Sequence, residues 1–226
     1  MPIEMRLVPL SFALAVTTVA DAAWYAGISG GQSRTSHELV ANRESTIINA
    51  TDLHTDFDAK NNAWKAFGGY RLNEAIAVEL NYADLGEHRM FTTMIAGDPP
   101  YPASIEVKRR ISGYGADLVL AAPFGGRFSA FGRAGAFRTT LKASAALDGN
   151  INFTNGDQSD RSRHTTQHEI VLRYGAGGDW WFRPNAALRF EWERYNKVGK
   201  AFAIGGSGTT GEADTDAVSL GVMVRF

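Results

Sequence analysis

The sequence predicts an all-β fold, an eight-stranded antiparallel up-and-down transmembrane β-barrel. Apolar and polar residues alternate with period two through eight segments, and the connections between segments alternate between tight turns and long polar loops. The polar beats also mix charges of both signs with glycine, a pattern unlike an ordinary solvated sheet face. Period-two alternation puts successive side chains on opposite faces of a strand, so each segment has one apolar and one polar face.

Near its start the chain carries "MRLVPLSFALAVTTVADAAW" (5–24), in which Arg6 precedes an apolar run from Leu7 to Ala20 and Ala20-Asp21-Ala22 supplies a small-x-small site. This predicts an export signal peptide over residues 1–22 and a single barrel domain over 23–226. The run is too short to cross a bilayer as a helix, which takes about 20 residues. Strands are then expected at 23–32, 62–70, 75–84, 106–122, 127–141, 166–182, 186–198 and 214–226. In the third, Ile76, Val78, Leu80 and Tyr82 alternate with Ala77, Glu79 and Asn81. In the sixth, Ile170, Leu172, Tyr174, Ala176 and Trp180 alternate with Glu169, Arg173, Gly175, Gly177 and Asp179. In the seventh, Leu188, Phe190 and Trp192 alternate with Arg189, Glu191 and Glu193. Tight turns fall at "RLNE" (71–74), "PFGG" (123–126) and "RPN" (183–185), which are rich in turn-forming residues. The other connections, 33–61, 85–105, 142–165 and 199–213, are long and polar.

Composition removes several classes of function. There is no cysteine, hence no disulfide framework, thiolate metal site or cysteine nucleophile. Lys+Arg 23 against Asp+Glu 24 offers no basic excess for nucleic acid, and loss of residues 1–22 leaves 22 of each sign. No cofactor is expected.

The orientation of the two faces follows from Glu79, Asp117, Arg133, Glu169, Arg173, Asp179, Arg189, Glu191 and Glu193, which occupy the polar beats. A soluble sandwich or lipocalin would turn these to water. A barrel with its apolar face towards lipid turns them inward, where Glu79, Asp117, Arg133, Asp179, Arg189, Glu191 and Glu193 form a lumen charge network. Trp24, Tyr70, Phe128, Trp180 and Phe182 collect beside the short turns, as an interfacial girdle would. Eight strands leave an interior that side chains fill. The final "AVSLGVMVRF" stops on the apolar beat at Phe226, which fits a last strand that pairs with the first and leaves no edge.

"AFGGYRLNEAIAVELNYADLG" (66–86), "YGAGGDWWFRPNAALRFEWERY" (174–195) and the terminal "VSLGVMVRF" resemble the OmpA-like membrane domain of Gram-negative bacteria, an eight-stranded outer-membrane barrel. In that family the lumen carries charges at the places held here by Glu79, Arg133, Asp179 and Arg189, while Ser29 and Val119 stand where lysines are often found. The resemblance implies a monomer in the outer membrane, in contact with outer-membrane lipids and lipopolysaccharide. It also implies that Phe226 is read as an assembly signal by the barrel-assembly machinery. The peptidoglycan-binding domain that follows in many relatives is not expected in this chain.

The implied function is structural, maintaining membrane integrity, with a minor low-conductance channel and surface-loop interactions as accompanying roles. The alternative is a lipid A-modifying barrel enzyme, a hydrolase or acyltransferase centred on His168. Such a site needs a hydroxyl nucleophile on the same face. The outward positions beside His168 are Ala136, Arg138, Thr140, Arg194 and Asn196, with no serine, so no enzyme is expected. Other motif-like stretches lack their context: "GISGG" (27–31) lies inside a strand, "GSGTTG" (206–211) has no βαβ unit around it, and "DGNINFTNGD" (148–157) misplaces the Gly and Glu of a calcium loop. No metal site is expected. Towards the long loops, the outward beats carry Lys108, Arg110, Arg138, His168 and Arg194, a basic arc suited to lipopolysaccharide phosphates.

Overall fold

The computed structural model describes residues 23–36, 50–96, 100–149, 162–199 and 212–226. Among the described residues there are nine strands: β1 (Ala23–Thr35), β2 (Ala50–Asp58), β3 (Lys60–Arg71), β4 (Ile76–Ala96), β5 (Tyr101–Phe124), β6 (Phe128–Asp148), β7 (Ser162–Arg183), β8 (Ala186–Val198) and β9 (Ala213–Arg225). Eight of them close a ring in the order β3-β1-β9-β8-β7-β6-β5-β4, with β4 returning to β3, and every pairing is antiparallel. Closure runs from Tyr25 opposite Arg225 to Thr35 opposite Thr215, and the Phe226 amide donates to the Trp24 carbonyl at 3.0 Å. The expected signal peptide lies outside the described residues.

The strands run further than the alternation first suggests, which corrects three of the expected loops. β4 and β5 stay paired up to Ala96 opposite Tyr101, across most of 85–105, and β6 and β7 pair up to Ala146 opposite Ser162. Within 33–61, β2 pairs with the upper part of β4 and continues the line of β3 beyond a break at Ala59. Alternation persists in these extensions, with Met90, Thr92 and Met94 buried between exposed Arg89, Phe91 and Thr93. Most of their outer beats are polar, as at Arg89, Thr93 and Lys108, with Phe91 and Ile95 the exposed apolar exceptions, so the extensions read as loop.

Local chemistry fixes the joints. Asn73 Oδ1 accepts the amides of Ala75 and Ile76, each at 2.8 Å, closing the first tight turn. Gly125 and Gly126 turn the second with φ of 62° and 73°, a region open to glycine at little cost. At the other end, Gly86 (φ 83°) lets β4 bulge between Asp84 and Glu87, and the Asp84 carboxylate accepts the Gly86 amide at 2.9 Å.

Inside, the barrel is layered. Near the short turns, Tyr25, Phe67, Ala77, Val119, Phe131, Ala187 and Met223 form an apolar floor. Towards the long loops, Ala83, Leu85, Ile111, Phe137, Leu141, Val171, Tyr195, Val198 and Ala217 form an apolar roof. A further cluster, including Met90, Met94, Ile105 and Val107, fills the extension above. Outside, Ile28, Leu80, Leu118, Leu172, Phe190, Leu220 and Val222 are exposed as a continuous apolar wall. Aromatic residues bound it at both ends: Trp24, Tyr70, Phe128, Trp180 and Phe182 at the short turns, and Trp64, Tyr82, Tyr114, Tyr174 and Trp192 at the other rim. Only the first girdle is evident from segment ends; the second lies inside the strands, in phase with the outward beat.

Candidate functional site

Between floor and roof lies a layer of buried charge. Each residue reaches it because its strand's polar beat points inward: Lys65 from β3, Glu79 and Asn81 from β4, Asp117 from β5, Arg133 from β6, Arg173 and Asp179 from β7, Arg189, Glu191 and Glu193 from β8. Glycines on the same faces make room. A Cβ on Gly135 would meet Asp117 Oδ1 at 2.4 Å, and one on Gly177 would meet Phe131 and Glu191.

Arg133 is the centre of the layer. Its guanidinium donates to Glu79, to Glu191 at 2.7 Å and to Glu193 at 3.2 Å, and lies 3.3 Å from Asp117. Arg189 holds Asp179 through two nitrogens, at 2.8 and 3.2 Å, and reaches Glu79 at 2.8 Å. Its planar face packs against the floor, with Phe131 and Phe67 ring centres at 4.6 and 4.8 Å. Arg173 grips Asp117, donates to Asn81 Oδ1 at 2.8 Å, and packs against Phe137 and Tyr195 of the roof. The seven expected lumen residues are thus brought together, joined by Lys65 and Arg173. Lys65 contacts Glu191 and lies 3.1 Å from Glu193. Sequence reading missed Lys65, although it sits in phase with the inward Phe67 and Gly69. It supplies a cation from β3, while Ser29 and Val119 are buried on β1 and β5.

Five carboxylates therefore face four cations, with Tyr25 donating to Glu79 at 3.1 Å and Asn81 to Asp117 at 2.8 Å. Buried ion pairs are tolerated only when each partner is multiply engaged, because desolvation is costly. Such a layer can brace the wall from within.

The outward basic residues divide. Arg110 is paired with Asp84 at 2.7 Å, Arg194 with Asp216 through two nitrogens at 2.7 and 2.8 Å, and Lys108 with Glu106 at 3.2 Å. Arg138 stacks over Tyr114 of the upper girdle, and among the described residues neither it nor neighbouring exposed Lys142 has a carboxylate partner. His168 is exposed, with Nδ1 3.2 Å from the Thr140 hydroxyl. Among the described residues no carboxylate orients its other nitrogen, and no group of three or more His, Cys, Asp and Glu could hold a metal ion. Phe226 is outward at the short-turn rim and 76% exposed. Of the calcium-like loop, Asn150 and Asn152 lie outside the described residues, as does "GSGTTG".

A closed antiparallel ring with an apolar, girdled exterior and a charged interior defines a transmembrane β-barrel. The chain matches the family model of the outer membrane protein beta-barrel domain over residues 7–226 and belongs to that family, the OmpA-like barrels of the outer membrane. Among solved structures it is similar to Ail, the attachment invasion locus protein of Yersinia pestis, at 15% identity over 92% of this chain and 100% of that one, with a TM-score of 0.51. It is also similar to Neisserial surface protein A (15%, covering 90% and 97%, TM-score 0.47) and to OprG from Pseudomonas aeruginosa (14%, covering 91% and 97%, TM-score 0.45). No curated protein matches in sequence. The Ail likeness supports the fold alone.

Proposed function

We propose that this outer-membrane barrel is a closed, non-enzymatic wall element that stabilises the membrane, exported by residues 1–22 as a cleaved leader and inserted by the barrel-assembly machinery with Phe226 as its signal. The observation that carries this reading is the charged layer lying between an apolar floor and an apolar roof. A side-chain-filled lumen braces the barrel and passes little solute. Planar-bilayer recording tests it: the purified protein gives no steady porin-sized conductance, and a large sustained current from the native chain would overturn the reading. Within the outer basic arc, Arg138 with neighbouring Lys142 is better suited to lipopolysaccharide phosphates than Arg110, Arg194 and Lys108, which are already paired within the protein.

The Thr140–His168 contact favours a second reading, a lipid A-modifying enzyme, since a hydroxyl lies within reach of an imidazole. Against it, no acid among the described residues orients the ring. Incubation with lipopolysaccharide followed by mass spectrometry of lipid A separates the two: unchanged lipid A supports the wall element, and deacylated or acylated product replaces it with the enzyme.

A further inference from the structure

We propose that the closure seam of the barrel, where β1 meets β3 and β9, binds one molecule of lipid A, with an acyl chain in a notch at Gly30 and a phosphate on Arg34 and Lys60. The inference rests on the reading that the long-loop end meets lipopolysaccharide, and it names a place distinct from Arg138 and Lys142. A groove of about 610 Å³ opens on the outer wall between Ile28, Gly30 and Trp64 on one side and Leu188, Leu220 and Val222 on the other. Gly30 makes it: a Cβ built there meets nothing within 4 Å, while Ile28, Trp64 and Leu220 around it are each more than half exposed. The walls are almost entirely apolar and suit a flexible methylene chain.

Above the notch the surface changes in the order a lipid A molecule does. On β1 the outward beats run Gly30, Gln32, Arg34, and on β3 they run Trp64, Asn62, Lys60, with each pair directly opposite in register. Gln32 and Asn62 are amides at the level of a sugar and its acyl carbonyls. Arg34 and Lys60 lie two residues higher, about 13 Å above Gly30 at ~3.3 Å per residue. Among the described residues neither has a carboxylate partner, and Asp216, opposite Arg34 in register, has both oxygens held by Arg194. Two adjacent unpaired cations above an apolar groove complement a phosphorylated lipid, and Arg offers a bidentate fork for the phosphate.

The experiment is native mass spectrometry of the full folded barrel released from nanodiscs containing phosphatidylethanolamine with either lipid A or phosphatidylglycerol, with heat-modifiable gel migration as the check on folding. The wild type retains one lipid A. Gly30→Leu fills the notch and lowers retention by about tenfold or more, as loss of a buried acyl segment requires. Arg34→Gln with Lys60→Gln lowers it by roughly tenfold, the loss of charge-assisted hydrogen bonds. Gly132→Leu, outward on the far wall with room for a Cβ, leaves retention unchanged. Equal retention by wild type and Gly30→Leu, an equal drop with Gly132→Leu, or equal retention of phosphatidylglycerol would each overturn the seam site. Retention lost with Arg138→Glu and Lys142→Glu but kept in the seam variants would leave the first lipopolysaccharide reading standing and sink this one. The reverse pattern would keep the seam site and remove Arg138 and Lys142 as the contact, and a wild type that retains no lipid A would sink both.

Discussion

Arg133→Met removes the guanidinium that holds the lumen layer together while keeping an unbranched side chain of similar length. In the native barrel Arg133 contacts Glu79, Asp117, Glu191 and Glu193, all fully enclosed. Without it, the five carboxylates face only Lys65, Arg173 and Arg189. Breaking a buried pair by removing one partner costs about 3–5 kcal/mol, because the surviving charge is left desolvated and unpaired. With a urea dependence of about 2 kcal/mol per molar, the unfolding midpoint falls by roughly 2 M. Urea titration of the barrel refolded in lipid vesicles, followed by tryptophan fluorescence and gel migration without boiling, reads this directly. Adding Glu191→Gln removes one stranded charge and restores more than half of the loss. A loss below about 1 kcal/mol, the range of solvated pairs, would refute the reasoning, as would a double variant no better than the single.

Two further outcomes are expected above the membrane. His88, almost fully buried in the upper barrel, lies 3.4 Å from the Ser33 hydroxyl of β1, and faces Arg109 of β5 and the Asp58–Ala59 backbone at the break between β2 and β3. Burial first, then Arg109, holds its pKa below the ordinary 6.5. The unfolded chain therefore takes the proton more readily, so the stability of this region is complete above pH 6.5 and is lost as pH falls below it. Amide exchange of β2, corrected for intrinsic rate, rises relative to β6 between about pH 7.5 and about pH 5.5, and His88→Gln flattens the change; an unaltered profile in the variant would remove His88 as its source. Separately, Arg138→Glu with Lys142→Glu weakens lipopolysaccharide co-purification and lowers the melting temperature in lipopolysaccharide bilayers, with little change in neutral detergent. Equal losses in both media would mean that these residues serve the fold.

The ring was legible in the sequence because the lipid imposes the alternation. Between the girdles an outward position is apolar, as at Val78, Leu80 and Leu118, and the inward position can then be read by parity, as at Glu79 and Asp117. Above the upper girdle water replaces lipid, and the outward beat goes polar at Arg89, Thr93 and Lys108 while the inward one turns apolar at Met90, Met94 and Val107. The period is unchanged, but its phase of hydrophobicity inverts. A reader following apolar residues outward therefore stops near Asp84, where Gly86 and the bulge add a register shift. That is why the upper strands and β2 read as loop.

The lumen layer was legible to the same depth, one strand at a time. Glu79, Asp117, Arg133, Asp179, Arg189, Glu191 and Glu193 each stand among strong alternation, so parity alone gives their direction. Pairing was not fixed, because it depends on which side chains span the bore. Lys65 reaches Glu191 and Glu193 from β3, with β1 and β9 lying between it and β8, a contact that only the closed ring creates. The outer arc divides on the same ground. Arg110 and Arg194 share a face with Arg138, yet Asp84 and Asp216 on adjoining strands neutralise them. One strand's parity shows where a charge points; whether it is free for lipid is decided by its neighbour's register.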